Sequence, residues 1–347
     1  MASILPANDT SAIEYAAQLL KAGEVVAFPT ETVYGLAASA LNPAAIEKIY
    51  AVKGRPATDP LIVHIAETAM LPQVVAGLPR LAKTLQRAFW PGPLTLVLPR
   101  RASIPIQVSA RLPTVAVRWP SHPVAQALIR AASLPIVAPS ANLFSHTSPT
   151  TAQHVLDDLK GRIPVILDGG PTDLGLESTI VDLTTSPPRL LRPGALPIEA
   201  LLEYIPDLNL TPYLVTTADQ PVPAPGMLIR HYAPRARLTV FQGQPPAIYQ
   251  ALRAFAQARA DDGEAVGLLL ADDDLPALAD LADDNTHLLS IGPLADPGEI
   301  AHGLFAALRQ LDSTGVAAIA ARTFPPTGLG RAINDRLLRA AEGRLVT

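Results

Sequence analysis

Lys53 and Arg55 flank Gly54 in the segment K-G-R-P-A-T-D-P, where two cations two residues apart in an extended turn can grip one anion. Arginine offers a planar fork and lysine a point charge, a combination suited to phosphates and carboxylates. A lone K-x-R is most often a solvated loop, but other polar turns of this chain repeat the placement. P-T-E-T-V-Y supplies Thr30, Glu31, Thr32 and Tyr34, and Asp59 closes the basic turn. His64 stands in an apolar run, Arg118 ends T-V-A-V-R, and P-S-A-N supplies Ser140 and Asn142. Ser148 in S-P-T, Ser178 in E-S-T and Arg192 in L-L-R-P-G complete the set. Singly, each has a plainer reading: a hydroxyl after a strand is usually a helix cap, His64 a satisfied core histidine, and Arg118 or Arg192 an ordinary salt-bridge partner. Lys53, Arg55, Arg118 and Arg192 gathered with hydroxyls instead suit a substrate of high negative charge, such as a nucleoside triphosphate together with a carboxylate.

The elements that must carry these residues alternate between strand and helix. Residues 25–28 read as a buried strand, followed by the turn 29–34 and a helix that Asn42 and Pro43 open and that runs to about Val52. Residues 61–65 form a second, almost wholly apolar strand, so both of its faces should be covered. Further strands are expected at 94–98, 114–118, 135–138, 165–168, 178–183 and 189–192. Helices should start at Thr10 or Ser11 (ending at Gly23), near Pro79, at Ser121 and at Thr150. On this reading the loops after the strands meet at one carboxyl edge of an open sheet, where α/β proteins bind ligands.

Three regions follow: a first α/β domain over 1–206, a linker over 207–236, and a smaller α/β domain over 237–347. The linker is rich in Pro, Thr and Ala and holds one island, P-G-M-L-I-R-H-Y-A-P, at 225–234. The last region alternates strands (238–241, 265–270, 316–320) with helices near 246–260, 298–311 and 329–342, which predicts a small parallel sheet. G-L-G-R-A-I at 328–333 lacks the third glycine of a dinucleotide loop and reads better as a helix start.

Composition narrows the chemistry. A chain of 347 residues suits two domains, and a formal charge of −4 disfavours gripping nucleic acid by bulk charge. Cysteine is absent, which removes disulfides, thiolate nucleophiles and cysteine-ligated metals. The seven histidines are scattered without H-E-x-x-H, so no built-in metal site is expected. No Walker loop, Ser-His-Asp order or paired glycosidase carboxylates stand out. The first residues lack a basic segment and carry Asp9 and Glu14, and no apolar run approaches ~20 residues, so a cytoplasmic protein without membrane contact is expected.

At these positions the chain resembles the threonylcarbamoyl-AMP synthases. P-T-E-T-V-Y-G-L, K-G-R-P, P-L-I-V-H, W-P-G-P-L-T, V-A-V-R-x-P, A-P-S-A-N, S-P-T, E-S-T-I and L-R-P-G occur in the family's order. P-G-M-x-x-R-H-Y-A-P and G-L-G-R-A-I-N-D-R mark its long, two-domain form. The resemblance implies an α/β protein: a twisted open N-terminal domain with a concave ligand cleft, then a Rossmann-like C-terminal domain. It implies ATP-dependent condensation of L-threonine with bicarbonate to L-threonylcarbamoyladenylate and pyrophosphate, Mg2+ being carried by ATP. A separate tRNA threonylcarbamoyl transferase complex would be the downstream acceptor. Lys53, Arg55, Ser140 and Asn142 match the catalytic signatures. Thr32, His64, Arg118, Ser178 and the Ala138 backbone would hold threonine. Arg55, Asp59, Thr114, Ser140, Ser148, Arg192 and Tyr232 would hold the nucleotide, with the island around Tyr232 folding back as a lid. Departures from the family pattern fall at Ala37, Asp59, Phe144, Leu228 and Ile229. An RNA-binding module and a nucleotide or amino-acid sensor are the readings from other classes. Mild acidity and the lack of aromatic-rich basic runs disfavour the first, and the intact signatures disfavour the second.

Overall fold

A computed structural model describes residues 2–212 and 220–347. Residues 213–219, part of the expected linker, lie outside the described residues. The chain divides into two units, Met1–Phe144 with Ser148–Leu228, and Ser145–Thr147 with Ile229–Thr347.

In the first unit the strands are β1 (Ser3–Pro6), β2 (Val26–Phe28), β3 (Gly35–Ser39), β4 (Ile62–His64), β5 (Leu94–Pro99), β6 (Thr114–Arg118), β7 (Ile136–Val137), β8 (Val165–Asp168), β9 (Thr179–Asp182) and β10 (Arg189–Arg192). They form one sheet in the order β1-β8-β2-β3-β7-β4-β6-β5-β9-β10. The sheet is mixed: β2 pairs antiparallel with β3, β3 with β7, and β7 with β4, so β2 and β4 run in opposite directions. This corrects the expectation of a single carboxyl edge. The strand that reverses the direction is β3, unforeseen like β1, and its sequence G-L-A-A-S has no β-branched residue to betray it.

What the polar residues share is a face rather than an edge. Register sets His64 beside Arg118, Arg118 beside Thr95, Thr95 beside Ile180, and Ile180 beside Arg192. Paired residues in a sheet project to the same side, so this row crosses β4, β6, β5, β9 and β10 on one surface. Part of that surface is apolar and is covered by the chain itself: Val222, Ala224 and Met227 pack on Ile62, Val97, Ala116, Ile180 and Leu191. The end of the expected linker is thus a strap seated in the first unit, where the Val222 amide donates to the Thr58 carbonyl at 3.3 Å.

The helix Pro43–Lys53 is built as its sequence dictates. Asn42 accepts from the Ala44 and Ala45 amides, proline occupies the first turn, and Gly54 ends the helix in the left-handed region at φ 65°. That stop puts Lys53 in the last turn and lets Arg55 turn back toward Asp59. Other caps sit one residue from their expected places, because the side chain whose oxygen or nitrogen reaches a free amide wins. Asp9 replaces Thr10 or Ser11, His122 replaces Ser121, and Thr151 replaces Thr150.

The second unit holds a five-stranded parallel sheet of β11 (Arg237–Phe241), β12 (Val266–Leu270), β13 (Thr286–Ser290), β14 (Ala318–Arg322) and β15 (Leu345–Val346), ordered β13-β12-β14-β11-β15. Only three of these strands are expected from sequence, since T-H-L-L-S has a single β-branched residue and the terminal strand is two residues long. Gly330 opens the helix Gly330–Ala340 where a Cβ would meet the Pro325 carbonyl oxygen at 1.8 Å, a packing reason for that glycine. Among the described residues no helix is long and apolar enough to cross a membrane.

Replacing the cap that aligns the lysine-bearing helix, Asn42→Ala, should lower stability by about 1 kcal/mol in urea unfolding. An unchanged midpoint would show that the cap does not hold this helix.

Candidate active site

Four cations belong to the first unit and all are buried: Lys53, Arg55, Arg118 and Arg192 are at most 7% exposed. A buried charge is tolerated only when its hydrogen bonds are met, and each is met differently. Lys53 Nζ donates to the carbonyls of Ser140 and Asn142, both at 2.5 Å. An ammonium has three donors, so Lys53 ties down the P-S-A-N loop with two and keeps another for Asn142 Oδ1 at 3.4 Å or for a ligand. Burial, then the charge of Arg55, pushes the Lys53 amine well below its ordinary value.

Arg55 donates from Nε to the Asp59 carbonyl (3.0 Å) and from Nη2 to the Pro60 carbonyl (2.6 Å), and it pairs with the Asp59 carboxylate at 3.0 Å. The Phe144 ring lies 6.0 Å from its guanidinium, one consequence of that sequence departure. Burial raises the Asp59 carboxyl, while Arg55, Lys53 and Arg192 act to lower it, which places all three cations in its field.

Arg118 carries the other half of the row. Its Nη2 pairs with Glu31 at 2.7 Å, Nη1 donates to Thr32 Oγ1 at 2.9 Å, and Nε donates to the Gly92 carbonyl at 3.3 Å. Burial works to raise the Glu31 carboxyl, yet Arg118 prevails and holds it below the usual range. His64 Nδ1 lies 3.2 Å from the Ile62 carbonyl, and burial, then Arg118, pushes the imidazole down to about 3. A neutral imidazole faces this site at physiological pH.

Ser178 connects the two halves. Its hydroxyl shares a hydrogen bond with Thr95 at 2.7 Å, and Arg192 donates to its carbonyl (2.9 Å from Nη2) and to its hydroxyl (3.2 Å). Arg192 Nη1 also donates to the Pro225 carbonyl of the strap at 3.3 Å. Gly194 backs this contact, since a Cβ there would meet the Ser178 carbonyl carbon at 2.4 Å. Ser148 donates to Glu177 at 2.5 Å. Thr114 starts the strand that ends in Arg118, and the Ala138 amide donates to the Ile62 carbonyl at 3.0 Å.

The structure therefore brings Lys53, Ser140 and Asn142 together, pairs Arg55 with Asp59, and joins Thr32 and His64 to Arg118 and Ser178 to Arg192. Tyr232 belongs to the second unit, buried there with the Arg336 guanidinium 5.0 Å from its ring centroid. Sequence reasoning named Glu31 among the polar turn residues without giving it a partner, and gave no role to Thr95 or Glu177. Glu31 neighbours Thr32 and Glu177 neighbours Ser178, but only pairing across strands reveals what they hold.

Two outcomes follow. The unfolded His64 imidazole takes a proton near 6.5 and the folded one only near 3, so acidification between those values favours unfolding. Stability should fall from pH 6.5 to 4 more steeply in the parent than in His64→Gln, and parallel profiles would deny the burial cost. Gly194→Ala should lower stability, because the added Cβ must displace the Ser178 backbone, and an unchanged urea midpoint would contradict this.

Residues 18–194 match a family model described as telomere recombination, and residues 197–342 match one described as threonylcarbamoyl-AMP synthase, C-terminal domain. A threonylcarbamoyl-AMP synthase of Bacillus subtilis is 45% identical over 99% of this chain and 96% of its own length. One from Pyrococcus abyssi is 41% identical over 96% of this chain and 95% of its own length. A crystal structure of Pyrococcus abyssi Sua5 complexed with L-threonine superposes with a TM-score of 0.90 at 40% identity, covering 97% of this chain and 96% of that one. With both units matched by family models and full-length relatives, the chain belongs to the threonylcarbamoyl-AMP synthase family in its two-domain form.

Proposed function

We propose that the first unit condenses L-threonine, bicarbonate and ATP into L-threonylcarbamoyladenylate and pyrophosphate. The adenylate would serve a separate transferase complex that modifies the adenosine beside the anticodon of tRNAs reading ANN codons. The observation that carries this reading is the row His64–Arg118–Thr95–Ile180–Arg192 on one sheet face, with Arg55 paired to Asp59 and Lys53 held on the P-S-A-N loop.

The reaction needs cations and placement more than a covalent nucleophile. Threonine's amine attacks bicarbonate carbon, water leaves, and the resulting carbamate carries two carboxylates. A carbamate oxygen then attacks the α-phosphorus of ATP and the bond to pyrophosphate breaks. Two anions must approach, so fixed positive charge lowers the barrier. Arg118, oriented by Glu31 and Thr32, takes the threonine carboxylate, and His64 and Ser178 meet its amine and hydroxyl. Lys53, Arg55 and Asn142 hold the bicarbonate and carbamate oxygens. Arg55, Arg192, Ser140, Ser148 and Thr114 hold the nucleotide, and Asp59 keeps the Arg55 fork in place.

Magnesium enters as part of MgATP. Among the described residues no group of three or more His, Cys, Asp or Glu side chains is placed to hold a metal ion, and a cationic lining prefers phosphate oxygens to a bare cation.

Pyrophosphate exchange into ATP that requires both threonine and bicarbonate tests the reading, since an RNA binder or a sensor shows none. Lys53→Ala or Arg55→Ala should lower it by at least ~100-fold, the scale of losing one charge-stabilising donor. Near-parent rates in both variants would remove them from the mechanism.

A further inference from the structure

Asp59 and Phe144, two of the departures from the family pattern, meet on one side chain, Arg55. The Asp59 carboxylate is 1% exposed, and its Oδ2 lies 3.0 Å from Arg55 Nη2. Its Oδ1 accepts no hydrogen bond among the described residues. An ionised carboxylate can accept about four, so most of the hydration this one loses is not replaced. Burial without donors favours the neutral acid, and only neighbouring positive charge opposes it.

The charges that face Asp59 come from three elements. Arg55 acts from its own turn, Lys53 from the end of the helix Pro43–Lys53, and Arg192 from β10. Burial pushes the carboxyl up, and these three, Arg55 foremost, hold it down. Tyr50 of the same helix is also close, its hydroxyl donating to the Asp59 carbonyl at 3.4 Å. Burial pushes that phenol up to about 12, so it stays neutral and adds no charge.

Arg55 directs Nε to the Asp59 carbonyl and Nη2 to the Pro60 carbonyl and the Asp59 carboxylate, which leaves Nη1 as the end of the fork for a phosphate. Carboxylate and phosphate then share one guanidinium. Their charges repel across it in a buried setting, and an arginine divided between two anions holds the carboxyl down less.

We propose that Asp59 competes with the nucleotide for Arg55, so that ATP binding is coupled to uptake of a proton from solvent by the Asp59 carboxyl. This rests on the reading that Arg55 holds ATP phosphate. Oδ1 is the oxygen open to the proton, while Oδ2 stays against Arg55. The carboxyl must be ionised in the free protein for uptake to count, so the effect runs upward in pH from its raised value. Over that range one full proton of uptake weakens ATP about tenfold per pH unit.

Calorimetric titration of the full chain with MgATP, without threonine or bicarbonate, in buffers of different ionisation enthalpy counts the protons. The parent should take up protons, and its Kd should rise at least about threefold from pH 7 to pH 8. Asp59→Asn keeps the shape and removes the charge. It should abolish most of the uptake, flatten Kd over that range and tighten ATP at least about threefold at pH 8, and Asp59→Ser should do the same. The proposal is overturned by the absence of uptake in the parent, or by weaker ATP binding in both variants at pH 8. Uptake in both variants equal to the parent's would also overturn it, by giving the proton to Lys53. Failure of ATP to bind at any pH would overturn it together with the nucleotide reading, whereas binding without uptake overturns it alone.

Discussion

The structure of the first unit turns on burying four basic side chains, Arg118 and Arg192 in the sheet row and Lys53 and Arg55 at a helix end and the turn after it. A buried ammonium or guanidinium costs several kcal/mol unless its donors are occupied. Lys53 and Arg192 meet that cost chiefly with backbone carbonyls, while Arg55 and Arg118 each add a carboxylate. Carbonyls satisfy hydrogen bonds but carry no net charge. An incoming phosphate or carboxylate gains most from such donors in a low-dielectric setting. The P-S-A-N turn serves this need by aiming the Ser140 and Asn142 carbonyls at Lys53.

The mixed sheet is the means. A single carboxyl edge would have put the cations on separate loops, each free to move. The register of β4, β6, β5, β9 and β10 instead fixes His64, Arg118, Thr95 and Arg192 in one row, with the spacing set by strand pairing. The strap at 222–227 completes the face by covering its apolar part, and its Pro225 carbonyl is one of the groups that occupies Arg192. Its position makes the substrate face partly a product of the segment after β10.

Much of this was legible in the sequence. T-V-A-V-R is a strand with its arginine at the end, and Asn42-Pro43 opens a helix whose last turn holds Lys53. Cation-bearing turns beside hydroxyls pointed to an anionic substrate without help from any relative. What stayed hidden depends on pairing. The strand Gly35–Ser39 is made of small residues with no alternation, and missing it reversed the inferred direction of β4 relative to β2. Glu31 as the partner of Arg118, and Thr95 as the partner of Ser178, are contacts between residues more than eighty positions apart, and spacing along the chain holds no trace of them. The caps at Asp9, His122 and Thr151 each differ by one residue from the expected place, because neighbouring residues were equally able to cap and only backbone geometry chose.

One surface serving both an amino acid and a nucleotide is the claim on which everything else leans. Diffraction from crystals grown with L-threonine and a non-hydrolysable ATP analogue measures it directly. The account predicts the threonine carboxylate at Arg118 and the α-phosphate beside Lys53, Arg55 and Arg192, both on the face shared by His64 and Thr95. Density for the two ligands on opposite faces of the sheet would contradict it.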